Sequence, residues 1–110
     1  MQNPLKMLGE TYGLTCGQTI ISLPTVPTEA KCVYIQVEGQ AVRAMFNSTD
    51  SVTYGVTKGA GGGALLPAND INNPFYIFHT YDTLNAMRLQ SNTDSDATIN
   101  VIYFGEGQPS

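Results

Sequence analysis

Tryptophan is absent from this sequence, histidine occurs once and cysteine twice. Each scarcity removes a class of chemistry. Without Trp, any ring platform for stacking a ligand would have to come from Tyr and Phe. Cys16, Cys32 and His79 are too few and too dispersed for a metal site, so no metal or other cofactor is expected. Basic residues are also scarce, five against nine acidic, for a net charge of −4. That balance repels phosphate backbones, and a nucleic-acid partner is not expected. No apolar run approaches the ~20 residues that cross a bilayer, so no membrane partner is expected either. The opening MQNPLKMLGETYG holds one Lys and no continuous apolar core, unlike a secretory signal. With no export signal expected, Cys16 and Cys32 read as reduced, partly buried thiols, a disulfide being the minority reading.

What remains is apolar, uncharged and rich in turn formers. Hydrophobic residues make up 42% and charged residues 13%, with eleven glycines, and 110 residues suffice for one core. Residues 1–15 have no periodicity and contain Pro4, Gly9 and Gly13, which reads as an extended N-terminal arm. Gln18–Leu23 is a short strand closed by Pro24 and Pro27. Val33, Ile35 and Val37 alternate with Tyr34 and Gln36 as in a half-buried strand. Gly39-Gln40 then fits a two-residue turn, with Val42, Ala44 and Phe46 on one face of the return strand and Arg43 and Met45 on the other. The spacing therefore predicts a hairpin. A further strand is expected over Val52–Val56, and Phe75–His79 reads as a strand buried between layers. Ala86–Ser91 and Thr98–Phe104 read as a second hairpin around NTDSDA. No window reads as a long helix.

The architecture expected is all-β: an antiparallel sandwich or jelly roll of about seven to eight short strands. The arm would take residues 1–15, the sandwich 16–104 and a polar tail 105–110.

Few residues invite a catalytic reading. His79 ends an apolar strand, where a hydrogen-bonded structural role is several times more common than a general base. Asp82 lies nearby, but no serine sits in a nucleophile-elbow motif. Asp94 and Asp96 with Asn92 could hold calcium, yet the twelve-residue calcium loop is missing and turn bonding accounts for them. Lys58 precedes the glycines at 59 and 61–63 and Pro67 follows, the wrong order for a phosphate cradle, so that run reads as a loop between sheets. Tyr34, Tyr54, Tyr76, Tyr81 and Tyr103 suit core or interface roles better than a sugar platform. Arg43 and Arg88 stand mid-strand among apolar neighbours, either to pair with acidic residues of a partner or to keep an edge strand soluble. Pro4, Leu5, Met7, Leu8 and Tyr12 put apolar groups in the unpatterned arm, where they could anchor on another protein at ~25 cal/mol per Å² buried.

The segments VEGQAVRAMF, STDSVTYGV, GGALLPA, LNAMRLQS and INVIYF follow one another in an order that resembles small virion proteins of tailed bacteriophages. The likeness covers residues 32–104. It departs in the NNPFYIFHTYD segment and in the N-terminal arm. What the resemblance implies is a non-enzymatic β-sandwich on the capsid surface, made in the host cytoplasm. It would be a decoration or cement protein that binds the major capsid protein and copies of itself as a dimer or trimer. A neck or tail component, or a carbohydrate- or receptor-binding sandwich, is the alternative reading. A small hydrolase would instead need Ser, His and Asp to converge around His79.

Overall fold

The computed structural model describes residues 5–46, 64–93 and 95–107. Among these residues eight strands and one short helix follow in chain order. They are β1 (Leu5–Cys16), β2 (Ile21–Ser22), β3 (Ala30–Glu38), β4 (Val42–Phe46), β5 (Ala64–Leu66), β6 (Tyr76–His79), α1 (Tyr81–Ala86), β7 (Met87–Ser91) and β8 (Ala97–Glu106). Sheet A has the order β1-β8-β3-β6 and sheet B the order β2-β7-β4-β5, with every pairing antiparallel. The protein is an all-β sandwich.

Period-two alternation builds the core. In β8, Ala97, Ile99, Val101 and Tyr103 are buried while Ile102 and Phe104 point the other way, and β3 does the same with Val33, Ile35 and Val37. From sheet B, Val42, Ala44 and Leu89 meet them, joined by Met87 and by Leu84 of α1. A Thr80 N-cap starts that helix, its hydroxyl accepting from Thr83 N–H.

Several expectations need correction. The N-terminal segment is extended, but from Leu5 onward it is a sheet strand rather than a free arm, in register with β8 from Leu5↔Glu106 to Cys16↔Ala97. Its missing periodicity has a cause in two bulges, between Met7 and Gly9 and between Thr11 and Leu14, each of which shifts the in–out pattern. The sandwich accordingly begins at β1, and its last strand runs to Glu106.

Neither expected hairpin forms. β3 and β4 lie in different sheets, as do β7 and β8. Gly39 does adopt φ 88°, but the turn carries the chain from one sheet to the other. A hairpin and a sheet-crossing corner place apolar residues at the same alternate positions, so periodicity cannot separate them. The two corners clasp each other: Asn92 N–H donates to Ala41 O (2.9 Å), and Thr93 Oγ1 to Gln40 Oε1 (3.1 Å).

β6 is an edge strand rather than a buried one, with Ile77 46% exposed. The strand expected over Gln18–Leu23 is reduced to Ile21–Ser22. β5 occupies part of what reads as loop sequence, and the strand expected over Val52–Val56 and the glycines at 59 and 61–63 lie outside the described residues.

Candidate interaction surfaces

Register assigns each side chain to a face. The outer face of sheet A carries Leu5, Met7 and Glu10 from β1, and Phe104, Ile102 and Asn100 from β8. Beside them stand Cys32, Tyr34 and Gln36 from β3 and Ile77 and His79 from β6. Tyr34 lies at its centre, with ring centroids 4.9 Å from Phe104 and 5.7 Å from Phe75. The rings are tilted by 59°, an edge-to-face packing rather than a flat platform. Leu5 and Met7 are each 54% exposed. Toward the other end of the strands the face becomes polar. Asn100 Nδ2 donates to Gln36 Oε1 (3.0 Å) and Glu38 Oε2 (2.7 Å), while its Oδ1 accepts from Gly13 N–H (2.9 Å).

The outer face of sheet B has a different character. Arg43 stands opposite Gln90 and Leu65, and Arg88 opposite Met45 and Ser22. Both arginines are half-buried and engaged. Arg43 Nε donates to Asn92 Oδ1 (2.9 Å), and one terminal nitrogen of Arg88 reaches Asn85 O and Met87 O, closing the last turn of α1.

The residues expected to bind a partner thus divide. Leu5, Met7 and Tyr12 are exposed on or beside the face of sheet A, with the Tyr12 hydroxyl donating to Glu10 Oε2 (2.7 Å). Leu8 is the extra residue of the first bulge and packs against the core, so its apolar side chain is used within the fold. Arg43 and Arg88 share the face of sheet B, and Pro4 lies outside the described residues. Sequence reasoning gave Tyr34 a core or interface role but overlooked Phe75, Ile77, Ile102 and Phe104 as surface groups. One signal was present: Ile102 and Phe104 make β8 apolar on both sides, although only one side meets the other sheet.

His79 is exposed at the end of β6, and Asp82 is exposed in the first turn of α1. Among the described residues no three His, Cys, Asp or Glu side chains group as metal ligands. Asp94 lies outside the described residues, Asp96 is exposed, and the Asn92 carbonyl oxygen is taken by Arg43. Among the described residues, hydroxyls brace that corner: Ser91 Oγ donates to Ser95 O (2.6 Å), and Thr93 Oγ1 accepts from Ser95 N–H (3.1 Å).

Cys16 and Cys32 are buried free thiols. Burial, with Asp96 adding to it, pushes the Cys16 thiol up to about 11, and burial also raises Cys32. Both therefore hold their protons near neutrality, which makes them poor nucleophiles. Burial raises the Tyr103 phenol as well, and its hydroxyl donates to Pro24 O (2.6 Å). That bond forms part of an open cleft of about 350 Å³ between β1 and residues 24–27. Leu8, Pro24 and Pro27 make it mainly aliphatic, and Glu10 is the one carboxylate in its lining.

No helix among the described residues is long and apolar enough to cross a membrane. No protein-family model, curated protein or solved structure matches this chain.

Proposed function

We propose that this is a non-enzymatic virion structural protein, a capsid decoration or cement protein that binds a tailed-phage shell and associates with copies of itself. The observation that supports the reading is the unlike chemistry of the outer faces of the two sheets. Sheet A presents aliphatic and aromatic groups outward, whereas the outer face of sheet B carries the half-buried Arg43 and Arg88 beside the buried Met45 and Gln90. A protein that joins like subunits and also grips a different one needs two such surfaces. A rigid sandwich holds them back to back, about 10 Å of core apart. In this reading the arginine-bearing face meets carboxylates of the major capsid protein, and the apolar face serves self-contacts.

The test is co-sedimentation of purified protein with capsid shells that lack it. Saturable binding at a fixed copy number, with a rise in the shell's melting temperature, is the expected result. A protein that stays in the supernatant at tens of micromolar sinks the proposal. Glycan-array binding without shell binding would move it to the receptor-binding reading, for which the Tyr34–Phe75–Phe104 cluster would be the starting point.

A further inference from the structure

We infer that the outer face of sheet A is a self-association surface, on which a second copy of this chain packs sheet against sheet to form a two-fold dimer. The inference does not depend on the virion reading, because such a dimer needs no shell.

Size is the first argument. Sheet A consists of strands of 12, 10, 9 and 4 residues. At a rise of about 3.4 Å per residue and a spacing of about 4.8 Å, those strands present roughly 550 Å² of flat area. Two copies face to face would remove about twice that, just above the roughly 1,000 Å² that a specific interface requires.

Composition is the second. Along the middle of the face run Met7, Phe104, Ile102, Tyr34 and Ile77, and none carries a charge. Cys32, on the same side, is 4% exposed yet stands outside the core cluster, so the outer layer already covers it. Charged groups stand at the margins: Glu10 on the β1 edge, Glu106 at the end of β8, Glu38 at the far end of β3, and His79 on the opposite edge.

That layout is self-complementary. A two-fold axis parallel to the strands lays β1 of one copy over β6 of the other and β8 over β3. Apolar centre then meets apolar centre, and the register sets Glu10 of one copy against Ile77 of the other, and Met7 against His79, at the margins. An anionic lipid surface would instead be repelled by Glu10, Glu38 and Glu106. An isologous contact of this kind also closes after two copies.

Light scattering coupled to size exclusion, over a concentration series of the full chain, reads the outcome. The expected mass is twice 11.8 kDa at tens of micromolar. Ile77→Glu and Met7→Lys alter exposed side chains, the first setting a carboxylate against Glu10 of the other copy, and each should weaken dimerisation at least tenfold while leaving the circular dichroism spectrum and melting temperature of the monomer near wild type. Leu65→Lys, on the exposed face of sheet B, should leave the dimer intact. Three results overturn the inference: a wild-type monomer at about 100 micromolar, a trimer (which an isologous face cannot build), or a dimer lost with Leu65→Lys but not with the sheet A variants. Folding failure in one sheet A variant leaves the other to decide.

Discussion

Leu8 fills the space that a side chain at Gly105 would need. A Cβ built on Gly105 would stand 2.7 Å from Leu8 Cδ1 and 2.9 Å from Glu29 O. The side chain could swing away, but the backbone carbonyl could not without disturbing the turn before β3. Gly105→Ala should therefore destabilise the protein by about 1–3 kcal/mol, the ordinary penalty for overpacking. Urea unfolding of the single variant measures it, and Gly105→Ala combined with Leu8→Ala should recover little, since the clash with Glu29 O persists.

Removing residues 2–12 tests the status of β1. A free arm could be deleted at no cost to the fold. Here the deletion takes most of a 12-residue strand, removes Leu8 from the core and leaves β8 as a long unpaired edge. The truncated chain should melt at least 10 °C lower or accumulate in inclusion bodies. A soluble product with unchanged melting temperature would show that β1 contributes nothing to the sandwich.

Cys16 gives the fold an alkaline limit. Its thiol goes from an ordinary value of 9.0 to about 11 in the native state, chiefly through burial. A folded value above the unfolded one means that the native state holds the proton more tightly. The associated stability is fully present below pH 9 and is lost as pH rises through 9 toward 11. The Tyr103 phenol, also raised, acts in the same direction at higher pH. Denaturation midpoints should be flat in this respect from pH 7 to 9 and fall above it. Cys16→Ala should shallow that fall, and a midpoint that rises above pH 9 would contradict the assignment.

The layers were legible in the sequence where alternation was strict. Val33, Ile35, Val37, Ile99 and Val101 identify the inner faces of β3 and β8 without any coordinates. Pairing was not legible, because Gly39-Gln40 and the 92–96 turn suit a hairpin as well as a corner between sheets. β1 was hidden by its bulges, which break the period that marks a strand. The apolar face of sheet A was hidden for a related reason: an outward Ile102 or Phe104 looks in sequence like a second buried side. The arginines gave no more than a position, since Asn92 and Asn85, their partners, lie 49 and 3 residues away in the chain.

The two clasped corners govern how the chain must fold as it is made. Because both change sheet, sheet A draws its strands from opposite ends of the sequence, and β8 supplies the pairing edge for both β1 and β3. A growing polypeptide that has already produced β1 and β3 has no partner to place between them. β8 follows β3 by roughly 60 residues, a delay on the order of seconds at ordinary elongation rates. Closure of sheet A is thus a late, long-range event that carries the entropy of a large loop, which slows folding relative to a protein of adjacent hairpins. Until then Val33, Ile35 and Val37 have no β8 to lie against, and this interval is when the nascent chain is most exposed to capture by chaperones or by its own neighbours on a polysome.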